Sequence, residues 1–272
     1  MTSSTGKAVI LARGLGTRMR KGAPGAALSR EQAAAAEVGV KALIPIDRPF
    51  LDYVLSALAD AGWRRVCLVI GPEHDAVRRY YRGLSLRRVR VDYAVQAKPL
   101  GTADAVAAAE TFVAGEPFLC INSDNYYPRE ALVALRAIET PGLAAFDRDS
   151  MLAGGNIPPE RINRFAVLEI GPDSCLRRIV EKPSDAALAG MARPLRLSMN
   201  CWRFDASIFT ACRAISPSPR GELEITSAVQ HAIDRLGTTF QAVPCAAPVL
   251  DLTGREDVPA VARLLAGTKV EL

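Results

Sequence analysis

The stretch Lys7-Ala8-Val9-Ile10-Leu11-Ala12-Arg13-Gly14-Leu15-Gly16-Thr17-Arg18-Met19-Arg20 decides the fold. Its apolar run, 7–12, reads as a short strand buried on both faces, as in the middle of a parallel sheet. The run stops in a turn with two glycines, which permit positive φ and let the backbone come close to a ligand. Bare N–H groups there, with Arg18 adding charge, make an anion cradle. The turn is not a Walker A loop, which needs G-x-x-x-x-G-K-[ST]. Nor is it a G-x-G-x-x-G fingerprint, because Met19 stands where the third glycine belongs. Taken alone, the glycine pair fits a plain strand-to-helix turn equally well.

Working outward, apolar runs alternate with helical spacing, the pattern of a mostly parallel sheet covered by helices. We expect helices over 51–61, 73–81, 102–112 and 129–138, and strands over 66–70, 89–94, 117–122 and 142–147. Beyond about residue 150 the texture becomes α+β. A loop is expected over 153–159, a hairpin from 164–170 and 176–180, strands over 197–204 and 239–244, and helices over 207–214, 224–236 and 258–266. The fold class is therefore α/β, a Rossmann-like mixed and mostly parallel sheet flanked by helices, with a smaller α+β lobe. No low-complexity linker divides the chain, so one domain with lobes at about 1–148 and 149–272 around a cleft is expected. The Ala-rich segment of 22 residues between Arg18 and Lys41 reads as a surface insertion, with a lid over the cleft as the alternative.

Composition narrows the chemistry. Among 272 residues there are only two histidines, and the six cysteines are scattered without a C-x-x-C pair. A zinc site, a structural disulfide and a histidine-based triad are not expected. No apolar run approaches a membrane span and no secretory signal is visible, so a cytoplasmic setting is expected. The formal charge of +5 comes from arginine clusters such as Arg87-Arg88-Val89-Arg90. They lack interleaved aromatic residues, which favours a solvated face over nucleic-acid binding. The remaining chemistry is that of carboxylates, cations and a metal held by oxygen, suited to a polyphosphate substrate.

The glycine turn gains meaning from the blocks that follow it. These are Lys41-Ala42-Leu43-Ile44-Pro45-Ile46, Gln96-Ala97-Lys98-Pro99-Leu100-Gly101-Thr102-Ala103-Asp104-Ala105-Val106, Ile121-Asn122-Ser123-Asp124-Asn125 and Val180-Glu181-Lys182-Pro183. Further along come Ser198-Met199-Asn200, Arg220-Gly221-Glu222-Leu223-Glu224-Ile225-Thr226 and Leu250-Asp251-Leu252-Thr253-Gly254. In this order they resemble the nucleotide-sugar pyrophosphorylases, the sugar-1-phosphate nucleotidyltransferases. The motifs are most like those of the glucose-1-phosphate thymidylyl- and uridylyltransferases.

The resemblance implies the nucleotide-diphospho-sugar transferase fold and a set of roles. Leu11, Ala12, Gly14, Gly16, Thr17 and Arg18 would cradle the triphosphate, and Arg18 with Lys41 would stabilise departing pyrophosphate, since phosphoryl chemistry needs in-line positioning and charge neutralisation. Gln96 and Gly101 would meet the base, and Thr102 would also bind the nucleotide. Asp124 and Asp251 would hold Mg²⁺, because two carboxylates brought together need a cation between them. Lys182 and Arg220 would take the sugar phosphate and Glu181 the sugar hydroxyls, with Asp104, Asn125 and Asn200 on the same side. Each has a plainer alternative: helix N-caps for the aspartates, a strand-edge lysine for Lys41, a surface charge pair for Glu181-Lys182. The implied partners are a nucleoside triphosphate, UTP or dTTP, and a sugar 1-phosphate, by default glucose 1-phosphate, with neither nucleic acid nor membrane involved and a homo-oligomer left open. Ser123, Asn200 and Ser227 depart from the family pattern. They keep two alternatives in view, a cytidylyltransferase for an alditol, choline or phosphonate and a non-catalytic homologue that senses nucleotide sugars.

Overall fold

The computed structural model describes residues 6–14, 16–21 and 28–272. Leu15 of the glycine turn and residues 22–27 of the Ala-rich segment lie outside the described residues. The first half runs β1 (Gly6–Leu11), α1 (Thr17–Arg20), α2 (Arg30–Val38), α3 (Phe50–Asp60), β2 (Trp63–Ile70), α4 (Asp75–Arg82), β3 (Arg90–Val95), α5 (Thr102–Ala108), α6 (Glu110–Val113), β4 (Phe118–Asn122), β5 (Asn125–Tyr126), α7 (Arg129–Ala137) and β6 (Gly142–Asp147). The second half runs α8 (Arg148–Gly154), α9 (Pro159–Ile162), β7 (Val167–Ile170), β8 (Leu176–Val180), α10 (Asp185–Ala189), β9 (Arg196–Phe204), α11 (Ser207–Ala214), α12 (Ile225–Leu236), β10 (Gln241–Cys245), β11 (Leu250–Asp251) and α13 (Val258–Leu265).

Nine of the described strands form one sheet in the order β10-β6-β9-β4-β1-β2-β3, with β7 attached to β9 and β8 to β7. Strands β4, β1, β2 and β3 are mutually parallel, and β9 runs antiparallel between β4 and β6. Alternation along each central strand feeds two cores. Ala8, Ile10, Leu68 and Ile121 pack against α3, α7 and α13 on one face, while Val9, Cys67, Phe118 and Cys120 pack against α5, α11 and α12 on the other. A strand wedged between two helical layers has to be apolar on both sides, which is why 7–12 reads as a continuous hydrophobic run. Lys7 is tolerated because its buried ammonium donates to the carbonyls of Phe112 and Val113 (3.0 and 2.8 Å) and pairs with Glu116 (2.7 Å).

Chain order reverses at β1: β2 and β3 lie to one side of it and β4 to the other. In open α/β sheets such a switch point opens a crevice at the carboxyl ends of the strands. The site described below sits there.

Three local expectations change. The helix expected over 102–112 is interrupted at Ala109, which caps both α5 and α6. The loop expected over 153–159 begins later, because the Asp147 carboxylate accepts from the Ser150 N–H (2.9 Å) and starts α8, which runs through Gly154. The Ala-rich segment is more than a surface insertion: α2 is capped reciprocally by Ser29 and Gln32, and Gln32 also donates to the Pro45 carbonyl (2.9 Å). Ala36 is fully buried, and Val40 reaches the crevice. Among the described residues no helix is long and apolar enough to cross a membrane.

Candidate active site

The crevice at the switch point is a cleft of about 390 Å³. Its floor is the end of β1 (Leu11, Ala12, Arg13) and of β4 (Asn122, Ser123, Asp124), and its walls include Gly14, Thr17, Lys41, Gln96, Gly101, Thr102 and Glu222. The backbone sets this floor, since Ser123 N–H donates to the Leu11 carbonyl (3.2 Å) and Ala12 N–H to that of Val69 (2.9 Å). Thus Leu11, Ala12, Gly14, Thr17, Gln96, Gly101, Thr102, Lys41 and Asp124 come together around one cleft.

Gly16 and Arg18 do not line the cleft. Gly16 has φ 61, and a Cβ there would lie 2.1 Å from the Gly39 oxygen, so the residue locks the turn against the end of α2. Arg18 is exposed on α1. Arg13 does line the cleft; its guanidinium turns toward Glu73, which lies outside the lining, with Nε and Nη2 3.4 Å from Glu73 Oε1.

Lys41 Nζ lies 2.7 Å from Asp124 Oδ2. Asp251 reaches the same place through a two-residue pairing: β11 lies antiparallel to β5 with Asp251 opposite Asn125, and Leu252 N–H donates to the Asp124 carbonyl (2.8 Å). The Asp251 carboxyl is pushed up to about 7, first by burial and then by the charge of Asp124. Arg161, with Nη2 at 3.4 Å, and the Thr253 hydroxyl, at 2.9 Å from both oxygens, act against that shift. Asn156 holds the backbone of Asp251 from both sides, accepting from its N–H (2.9 Å) and donating to its carbonyl (2.7 Å). Two hard-oxygen carboxylates that repel each other fit Mg²⁺, which is held by one or two carboxylates together with water and phosphate oxygens. Among the described residues no group of three or more His, Cys, Asp or Glu side chains could hold a metal without such help.

Gln96 is buried, and its Nε2 donates to the Gly101 carbonyl (2.9 Å) and to Asp104 Oδ2 (2.8 Å). Both partners are acceptors, so the amide must present Oε1 as its remaining end. Asp104, expected on the sugar-phosphate side, orients this glutamine through that bond. Gly101 has φ 119 and packs so tightly on Leu223 that a Cβ would lie 2.4 Å from its oxygen. The Thr102 hydroxyl accepts from Ile225 N–H (2.8 Å), so it ties α5 to the start of α12. Asn125 is buried, donates to Asp251 Oδ1 (3.2 Å) and accepts from Asn122 (3.3 Å), so its amide positions the carboxylate.

Of the remaining residues, Glu181 lies near enough to Arg220 for their charges to interact. Glu224 holds Arg220 at 2.8 Å and is the largest influence raising its pKa, with Glu222 and Glu181 adding to it. Lys182 and Asn200 have φ of 42 and 54, left-handed conformations that cost L-residues about 1–2 kcal/mol. Such backbone outliers cluster at functional positions. Asn200 sits where the β6–β9 register slips between Leu143 and Ala145, and its Oδ1 accepts from Trp202 Nε1 (3.3 Å). Sequence reading passed over Arg13, Asn156, Arg161 and Thr253. Two of them stood in stretches already singled out, Arg13 directly before Gly14 of the glycine turn and Thr253 two residues from Asp251.

The model of the family described as nucleotidyl transferase matches residues 7–244. The chain belongs to this family. It is 32% identical over 245 residues to a glucose-1-phosphate thymidylyltransferase of Streptomyces antibioticus, covering 87% of this chain and 60% of that protein. It is 27% identical over 254 residues to the UTP–glucose-1-phosphate uridylyltransferase AglF of Haloferax volcanii, covering 92% of this chain and 93% of that one. The chain therefore spans less than two thirds of the Streptomyces relative's length. A crystal structure of UDP-glucose pyrophosphorylase complexed with UDP-glucose superposes with a TM-score of 0.71 at 17% identity, over 97% of this chain and 99% of that one. Its mixed, mainly parallel sheet between helical layers is the fold found here.

Proposed function

We propose that this chain transfers a nucleotidyl group from UTP or dTTP to a sugar 1-phosphate, glucose 1-phosphate by default, releasing pyrophosphate and an NDP-sugar. The observation that carries the reading is the pairing of Lys41 and Asp124 at 2.7 Å in the switch-point cleft, with the buried Asp251 near enough that, after burial itself, the charge of Asp124 raises its carboxyl. The names of the thymidylyl- and uridylyltransferase relatives support the same chemistry.

The nucleotide lobe, about 1–148, binds the triphosphate along the ends of β1 and β4. Gln96 Oε1 accepts the N3–H of uracil or thymine; cytosine presents an acceptor at N3 and is disfavoured. Lys182, Arg220 and Glu181 of the lobe at about 149–272 bind the sugar phosphate and hydroxyls, with Asn200 beside them. The sugar-phosphate oxygen then attacks the α-phosphorus in line, and Lys41 stabilises charge on the departing pyrophosphate. Mg²⁺ held by Asp124 and Asp251 would supply electrophilic stabilisation of the phosphoryl oxygens. Asn156, Arg161 and Thr253 keep Asp251 oriented. The setting is cytoplasmic, where nucleoside triphosphates are abundant.

Pyrophosphate release measured across the five common pyrimidine and purine triphosphates and a panel of sugar 1-phosphates tests the reading. Turnover with UTP or dTTP and a hexose 1-phosphate is expected. Turnover with CTP and an alditol, choline or phosphonate acceptor only, or nucleotide-sugar binding without turnover, overturns it.

A further inference from the structure

We propose that Arg13 is a phosphate-binding residue of this nucleotide site, donating from its guanidinium to the polyphosphate chain of the bound triphosphate. The inference rests on the nucleotidyl-transfer reading above. Arg13 is the first residue after Ala12 at the end of the central strand, directly at the switch point, and it lines the cleft together with Gly14, Thr17 and Lys41. Its side chain is only 7% exposed. Burying a guanidinium removes hydration that partners must replace. The partner present replaces it poorly: Glu73 is 47% exposed and stands 3.4 to 3.5 Å from Nε and Nη2, beyond the roughly 2.7–2.9 Å of charge-assisted hydrogen bonds. Nη1 is buried and has no hydrogen-bond partner among the described residues.

The protein therefore keeps an incompletely satisfied cation in the wall of a cleft suited to a polyanion. The other cation lining this cleft, Lys41, pairs with Asp124 at 2.7 Å, so a second cation adds to the charge that can meet a triphosphate. Arg18, the arginine the glycine turn suggested for this task, is exposed on α1 and outside the lining. A phosphate offers a guanidinium several acceptor oxygens in the planar, paired geometry it prefers. It would displace a mostly hydrated carboxylate held at stretched distance, and Glu73 can turn to water as Arg13 is taken up.

Calorimetric titration of the full chain with UTP and dTTP in the presence of Mg²⁺, and with uridine and thymidine, tests this on the parent, Arg13→Met, Arg13→Lys and Glu73→Gln. Arg13→Met should lose about ten- to a hundredfold in affinity for the triphosphate while nucleoside affinity stays the same. Arg13→Lys should recover part of the loss, and Glu73→Gln should bind triphosphate at least as tightly as the parent. Equal triphosphate affinity in Arg13→Met and parent, or an equal loss for triphosphate and nucleoside, overturns the assignment. Should Arg13→Met fail to fold, a loss of triphosphate affinity in Glu73→Gln or none in Arg13→Lys overturns it instead. A parent that binds neither triphosphate refutes the nucleotidyl-transfer reading itself.

Discussion

Replacing Gly16 by alanine should damage stability and catalysis together, because one atom added there acts on the wall that carries Lys41. Gly16 has φ 61, and its new Cβ would stand 2.1 Å from the Gly39 oxygen, whereas ordinary contact begins near 3.4 Å. Gly39 would have to retreat by about 1.3 Å. The left-handed conformation costs alanine about 1–2 kcal/mol. Retreat also strains the hydrogen bonds from Gly39 N–H to the Ala36 carbonyl (3.0 Å) and from Lys41 N–H to the Gly39 carbonyl (3.1 Å). Losing one of these adds about 1 kcal/mol. A total of about 2–3 kcal/mol lowers the Tm of a domain this size by about 4–12 °C. Because Gly39 leads through Val40 into Lys41, the same movement draws Nζ away from Asp124, and pyrophosphate release should fall well below the parent's even where the variant is folded. Gly14→Ala is the control for stability, as a Cβ there meets nothing within 4 Å. Melting followed by circular dichroism, with pyrophosphate release at a temperature where both variants are folded, measures both effects. A Gly16→Ala protein that melts within about one degree of the parent and turns over normally refutes the reasoning.

Asp124→Asn should reduce turnover at least about a hundredfold with little change in Tm, and chelating divalent metal should add no further loss; unchanged pyrophosphate release counts against the carboxylate pair as the reacting centre. Gln96→Leu should raise KM for UTP and dTTP and narrow their advantage over CTP, a comparison that an unaltered base preference would defeat. Asp52 is fully buried and accepts from Tyr80 (2.8 Å), Tyr81 (2.9 Å) and Arg48 (3.2 Å), so Asp52→Asn should cost about 2–3 kcal/mol in urea denaturation by turning one acceptor into a donor. A loss under about 0.5 kcal/mol would show that those hydroxyls find water instead.

What the sequence by itself determined about this protein is what local pattern can carry. The double-faced run ending at Leu11, the helical spacing realised as α3, and the hairpin of β7 and β8 follow from periodicity within a few residues, and the ordered blocks identified the family and most of the cleft floor. What only the tertiary structure decided is which side chains are free to act. Asp251 meets Asp124 through β5 and β11, strands of two residues each, too short to show any period. Asp104 and Asn125 bond to Gln96 and Asp251 and orient them, and the Thr102 hydroxyl ties α5 to α12. Arg18 and Arg13 look interchangeable in a string of cations, yet one is exposed on a helix and the other is buried in the cleft wall. The reason is physical: a residue's partners for hydrogen bonds and charge are fixed by chain closure over a hundred residues or more, and no spacing in the sequence reports that closure.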